Sequence, residues 1–153
     1  MSIKEKLTAL GLTLPTAAAP VAAYVPAVKS GNLIFTAGQL PVVASKLVKE
    51  GKVGVDVTAE DAKELAQICA LNALAAISLV VDLDQVERVV RVGGFVNCAP
   101  GFTAIPGVVN GASEFLLKVF GDVNGKHART AVGVAELPLN APVEIELIVQ
   151  LKN

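Results

Sequence analysis

Hydrophobic and polar positions recur at two periods along this 153-residue chain, and the changes of period mark out its elements. From Thr58 to about Val81 a stripe of Leu65, Ile68, Cys69, Asn72, Ala76 and Leu79 returns every three or four residues, which predicts a long helix. Thr58 is a fitting N-cap, and Glu60, Asp61 and Glu64 suit the positive end of the helix dipole. Asn72 sits in the buried stripe and needs a partner, more readily backbone or water than a ligand. A second helix is predicted from about Pro106 to Phe120, stopping at Gly121, and a short one from Ile3 to Leu10, ending at Gly11. Strands are predicted at Tyr24–Val28 and Leu33–Thr36, joined by the turn Ser30-Gly31-Asn32, and at Gln85–Asn97, Ala128–Glu136 and Val143–Leu151. Val42 to Val57 reads as a loop or small hairpin, and residues 12–20 and Cys98 to Gly107 as irregular connections. Taken at face value, Leu137 to Pro142 joins the last two strands as a hairpin. The order predicts an α+β fold with both long helices on one face of the sheet. One domain covers 1–153, with residues 1–20 as an N-terminal extension carrying the short helix.

The period-two segments also predict faces. Val143, Ile145, Leu147, Val149 and Leu151 share one side; Glu144, Glu146, Ile148 and Gln150 share the other. On the preceding strand, Val132 and Val134 are expected toward the helices, and Arg129, Ala131, Gly133 and Ala135 away from them. A solvated strand face usually carries Lys, Thr or Gln. Small residues there predict that another chain packs closely, leaving a pocket at the Arg129 end.

Arg129 is the one charge in the run from Ala128 to Ala135. A guanidinium keeps its proton and can grip a carboxylate through two parallel hydrogen bonds. Two readings stay open: an anchor for a small acid, or a rim arginine paired with a glutamate of its own sheet.

Composition narrows the function classes. The chain is 53% hydrophobic and 18% charged, with mean hydropathy +0.60. Apolar residues left over from one core imply an oligomer interface. Thirteen basic and 14 acidic residues, one Tyr and no Trp argue against a nucleic-acid groove. Cys69 and Cys98 lack metal-ligand spacing and only one His accompanies them, so no metal is expected. Cys69 reads as a core residue; Cys98 reads as inert, with a reactive thiol the lesser alternative. No apolar stretch is long enough to span a membrane, and the Ala-rich run from Thr16 to Val28 is broken by Pro20 and Pro26, a poor signal peptide. A cytoplasmic protein is expected.

Three segments occur in a telling order: Gly38-Gln39-Leu40-Pro41, Ala128-Arg129-Thr130 and Val143-Glu144-Ile145-Glu146. Together, from about Val21 to Val149, they resemble the RidA/YjgF family of imine/enamine deaminases, also known as L-PSP endoribonucleases or translation initiation inhibitors. The resemblance implies a chorismate-mutase-like fold: a mixed sheet, two helices behind it, and a homotrimer with three clefts between subunits. In that fold the Gln85–Asn97 strand separates the last two strands, against the hairpin reading. By position, Arg129 matches the family's carboxylate-binding Arg and Glu144 the Glu that positions or activates water. Tyr24 matches a pocket Tyr, Asn110 a pocket Asn, and Gly38 a glycine of close approach. The implied reaction is hydrolysis of 2-imino or 2-enamino acids to 2-keto acids and ammonia, with no cofactor. Two pocket positions depart from the family: Ala37 stands for a Ser and Ala131 for a Cys, which implies a preference for larger hydrocarbon side chains. The alternatives are a non-catalytic trimer that binds small carboxylates and an endoribonuclease or translation inhibitor. His127 would be the acid/base of the last, but a lone His beside a strand start is more often structural.

Overall fold

The computed structural model describes residues 1–19 and 22–153. The element order is α1 (Ile3–Ala9), β1 (Ala27–Ser30), β2 (Leu33–Thr36), a small hairpin of β3 (Val42–Val43) and β4 (Lys46–Leu47), α2 (Ala59–Ser78), β5 (Val86–Asn97), α3 (Ile105–Asn124), β6 (Ala128–Val134) and β7 (Val143–Leu151). Short 3-10 turns lie at Leu83–Gln85 and Pro138–Asn140. The resemblance beginning at Val21 and the break at Pro20 touch residues outside the described ones.

Each helix begins where its cap chemistry allows. Ser2 and Glu5 satisfy each other's backbone N–H at the head of α1. The Thr58 hydroxyl accepts from Asp61 N at the head of α2. The third helix starts one residue before the expected Pro106 and does not stop at Gly121. That glycine takes φ 83°, which breaks the regular helix, and a last turn then runs on to Asn124. The expected strand at Tyr24 begins only at Ala27, and Tyr24 is an exposed residue of the lead-in.

The main sheet has the order β1-β2-β7-β5-β6. Strand β5 lies between the last two strands, parallel to β6 and antiparallel to β7. The hairpin reading of Leu137 to Pro142 is therefore incorrect: that segment crosses over β5. Helices α2 and α3 cover one face, where Val143, Ile145, Leu147 and Val149 are essentially inaccessible. The two helices touch backbone to backbone at Gly111, where a Cβ would lie 1.8 Å from the Lys63 carbonyl oxygen. Cys69 is fully buried against β7, its thiol on the Val143 carbonyl. Asn72 donates to the Leu40 and Val42 carbonyls, so its partners are backbone. No helix among the described residues is long and apolar enough to cross a membrane.

The faces of β6 are the reverse of the sequence expectation. Arg129, Ala131 and Gly133 pair with Val92, Gly94 and Val96 of β5. Val92 and Val96 are fully buried, and a Cβ on Gly94 would strike Val109 of α3. Arg129, Ala131 and Gly133 therefore face the helices. Their small size has a different cause from the one inferred: α3 and its lead-in lie almost on the strand, and a Cβ on Gly133 would meet Cys98 Sγ at 2.7 Å and Ile105 Cδ1 at 3.0 Å. Val132, 39% exposed, and Val134 look out from the open face instead. That face also carries Val28, Phe35, Phe95 and Ile148.

Candidate functional site

The chemistry-bearing residues divide into two groups on opposite sides of the sheet. The first is built on β6 and α3. Arg129 leaves β6 toward α3 and meets Asn110 and Ser113, three residues apart and so on one helix face. Its Nη1 donates to Asn110 Oδ1 at 2.7 Å and to Ser113 Oγ at 3.2 Å. Its Nη2 donates to the Pro106 carbonyl at 3.4 Å. All three acceptors are neutral. No carboxylate pairs with Arg129 among the described residues. Nε–H and one Nη2 hydrogen are left without a protein acceptor there, and the side chain is only partly buried. Ala131 follows two residues on, on the same face. His127, two residues before Arg129, touches Ser113 Oγ through Nε2 at 2.9 Å and the Gly125 carbonyl through Nδ1 at 2.6 Å.

The second group lies at the β2–β7 end. The β2–β7 ladder gains one residue between the Phe35–Ile148 pair and the Gln39–Ile145 bridge. The Thr36 hydroxyl accepts Leu147 N across the irregularity. The extra residue carries Ala37 and Gly38 over the end of β7, and Gly38 lies against the Glu144 carboxylate. A Cβ on Gly38 would come 2.0 Å from Glu144 Oε1. Gly38 also lines a cavity of about 430 Å³, with Tyr24, Gln39 and Leu139 in its wall. Glu144 is half-buried, and its carboxyl holds its proton more tightly than usual: burial is the main cause and the neighbouring Glu146 carboxylate the second. Both glutamates point to the open face, opposite Phe95 and Gly93.

This placement removes the glutamate-paired reading of Arg129 among the described residues. Glu144 and Glu146 are on the far face of the sheet, so Arg129 cannot pair with a glutamate of β7. The structure brings Arg129, Asn110 and Ala131 together, and separately Tyr24, Ala37, Gly38 and Glu144. Arg129 and Glu144 sit opposite Val92 and Phe95 of β5, on strands either side of it. Two strand spacings and three residues of rise separate them by about 14 Å, through the sheet. One small substrate cannot touch both within a single chain.

Sequence reasoning missed Ser113 and the Pro106 carbonyl. The Asn110–Ser113 spacing was visible, but nothing local says that α3 lies over β6. It also missed Lys52, whose ammonium meets the buried Asn97 side chain at 2.8 Å, the Ala135 carbonyl and Glu136, tying the loop before α2 to the end of β6.

The profile of the family described as "YjgF/chorismate mutase-like, putative endoribonuclease" matches residues 4–151. Protein TCP17 of Trypanosoma cruzi is 42% identical over 99% of this chain and 95% of its own length. The 2-iminobutanoate/2-iminopropanoate deaminase of Escherichia coli K12 is 33% identical over 89% of this chain and 94% of its own. The crystal structure of Atu1372 from Agrobacterium tumefaciens, a protein of unknown function, superposes with TM-score 0.88 at 43% identity, covering 98% of this chain and 92% of that one. With matching fold, ordered motifs and nearly full-length similarity, the chain belongs to the YjgF/chorismate mutase-like family.

Proposed function

We propose that this protein hydrolyses reactive 2-imino and 2-enamino acids to 2-keto acids and ammonia, in sites formed between copies of a homotrimer. The observation that carries the reading is Arg129: a partly buried guanidinium oriented by three neutral acceptors, with no acid paired to it among the described residues. Such an arrangement favours an incoming carboxylate. The apolar open face, with Val28, Phe35 and Val132 exposed, favours burial against further copies. Assembly would bring the Arg129 group of one copy to the Tyr24–Gly38–Glu144 group of the next.

In that site the free donors of Arg129 hold the substrate carboxylate and fix the adjacent C=N carbon. Glu144 accepts a proton as water adds to that carbon and passes it to the imine nitrogen, giving a carbinolamine. Glu144 then takes the carbinolamine hydroxyl proton and hands it to the nitrogen as the C–N bond breaks, and ammonia leaves with a keto acid behind. Water is consumed and no electrons are transferred. A carboxylate that already binds its proton tightly is suited to taking one up and handing it back. Because imines hydrolyse readily by themselves, orientation and one base suffice. The Escherichia coli relative's name supports the reaction class. His127 weighs against a ribonuclease role, because both ring nitrogens are already engaged.

Imino acids generated in place by an amino-acid oxidase, with ammonia release followed over time, test the activity. Wild type should accelerate release, and Arg129→Ala should abolish the acceleration. Sharing between copies is tested by mixing. Arg129→Ala and Glu144→Gln are each inactive alone; unfolded and refolded together at equal amounts, one site in four regains both groups. About a quarter of wild-type activity is expected. No recovery from a mixture that has demonstrably exchanged subunits refutes the shared site.

A further inference from the structure

We propose that Ser113 and His127 are positioning residues that lock the Arg129 fork in its substrate-gripping orientation; this rests on the reading of Arg129 as the carboxylate anchor. The argument starts from the fixed end of the chain of bonds. The Gly125 carbonyl can only accept, so His127 Nδ1, 2.6 Å away, carries the ring hydrogen and donates it. In the neutral ring Nε2 is then an acceptor, and the Ser113 hydroxyl 2.9 Å away donates to it. With its hydrogen committed, Ser113 Oγ offers a lone pair, and Arg129 Nη1 donates to it at 3.2 Å. Every bond runs the same way, from Arg129 through Ser113 and His127 to a backbone carbonyl, so each polarises the next.

The end point is rigid. Gly125 N donates to the Gly121 carbonyl at 2.8 Å, and a Cβ on Gly125 would lie 2.8 Å from Leu117 Cα and 2.9 Å from the Leu116 carbonyl oxygen. The last turn of α3 is thus folded hard against the helix body, and its carbonyl cannot wander. On the other side of the guanidinium, Asn110 Oδ1 takes the second Nη1 hydrogen at 2.7 Å. Both hydrogens of Nη1 are used by the protein, and the plane of the fork is set. The donors left over are on the Nε–Nη2 side, where a bidentate carboxylate would bind.

A Ser–His pair invites a different assignment, as nucleophile and base. The surroundings do not support it. Ser113 lies inside α3, where backbone N–H groups are consumed by the helix, so no oxyanion donors surround its hydroxyl. Its hydroxyl is also already held by Arg129. The pair therefore acts through Arg129.

The test is pyruvate binding, followed by NMR titration, in wild type, Ser113→Ala, Ser113→Thr and His127→Ala, each also in an Arg129→Lys background, with thermal melts to check folding. A lysine ammonium has no plane to orient. Ser113→Ala and His127→Ala should each weaken pyruvate binding by about tenfold with Arg129 present. His127→Ala should change it less than about twofold with Lys at 129. Ser113→Thr keeps the hydroxyl and should restore binding. In the free protein, the two bonded Arg129 Nη1 hydrogens should give resonances of their own in wild type and lose them to rotation and exchange in Ser113→Ala, which reads orientation without any ligand. Equal losses in both backgrounds, or wild-type affinity and unchanged Nη1 signals in folded Ser113→Ala, overturn the proposal. If wild type binds pyruvate and Arg129→Lys alone weakens it, the anchor stands and only the relay falls. If wild type does not bind pyruvate at all, both fall.

Discussion

Replacing Gly38 by Ala separates the role of Glu144 from the integrity of the fold. Gly38 does not adopt a positive φ, so an alanine there meets no backbone strain. Its restriction of the unfolded chain contributes about 0.4–1 kcal/mol in favour of folding. The new Cβ would stand 2.0 Å from Glu144 Oε1, 2.8 Å from Cδ and 3.1 Å from Cγ. Those atoms are the end of a side chain that can turn, so the clash is relieved by displacing the carboxylate more than about 1 Å. Folding stability should therefore stay within about 1 kcal/mol of wild type. Activity should not. Misplacing a catalytic group by about 1 Å can cost about 100-fold, equivalent to about 2.7 kcal/mol in the barrier. The assay is ammonia release from oxidase-generated imino acids, with a thermal melt on the same samples. A well-folded Gly38→Ala protein that turns over at the wild-type rate would refute the claim that Glu144 acts from this position.

Gly111→Ala should do the opposite and damage the fold. Its Cβ would lie 1.8 Å from the Lys63 carbonyl oxygen, a backbone atom that cannot turn aside; the loss should be about 2 kcal/mol despite about 1 kcal/mol gained in helix propensity, lowering Tm by about 4–8 °C. Glu144→Gln should remove a pH-dependent cost. Because the folded carboxyl holds its proton above the ordinary value of 4.5, the folded state binds more protons, and wild-type stability should fall as pH rises from about 4.5 through the folded pKa. Urea midpoints across that window should drop less steeply in the variant, by at most about 1.4 kcal/mol per pH unit; parallel profiles would contradict the raised proton affinity. Ala37→Ser with Ala131→Cys should shift activity from imines of leucine and phenylalanine toward that of alanine, by a graded amount, since one methylene is worth about 1–3 kcal/mol. An unchanged substrate series would show that these positions do not set specificity.

What could be read from the sequence was what local periodicity and caps determine. The stripe from Leu65 to Ala76, the Thr58 cap and the alternation from Val143 to Leu151 each fix an element without reference to anything distant. The neighbours of a strand are not local information. That β5 separates β6 from β7 came only from the resemblance, and the hairpin reading failed where the residues were taken alone. The faces of β6 went wrong for a related reason. The alternation itself holds, but nothing in it says which set faces the helices, and the expectation puts Val132 and Val134 there. In the fold α3 lies so close to β6 that only Ala131 and Gly133 fit beneath it, and the valines are left on the open face. The candidate site divides in the same way: Arg129, Asn110, Gly38 and Glu144 can be named as candidates from the sequence, whereas their separation into two groups depends on which side of the sheet each strand presents.

That separation bears on how the proposed site divides its work. One carboxylate against Arg129 at about 4 Å, in surroundings of effective dielectric about 20, gains about 4 kcal/mol. Binding a free ligand costs several kcal/mol of motional freedom. That cost consumes most of the gain, so with Ala37 and Ala131 offering no polar contact from their side chains, even millimolar affinity, about 4 kcal/mol net, needs further contacts beside the anchor. Contacts to the carboxylate are also much the same before and during the addition of water, so apart from orienting the C=N carbon they lower KM more than they raise kcat. The rate must then come from the other group, where charge on the carboxyl changes as the proton moves: Glu144, held over Gly38 in a poorly hydrated position beside Glu146. Keeping the cation and this acid on opposite faces of one chain prevents them from neutralising each other within it. Each is left to meet its counterpart only in the assembled site, with the substrate between them.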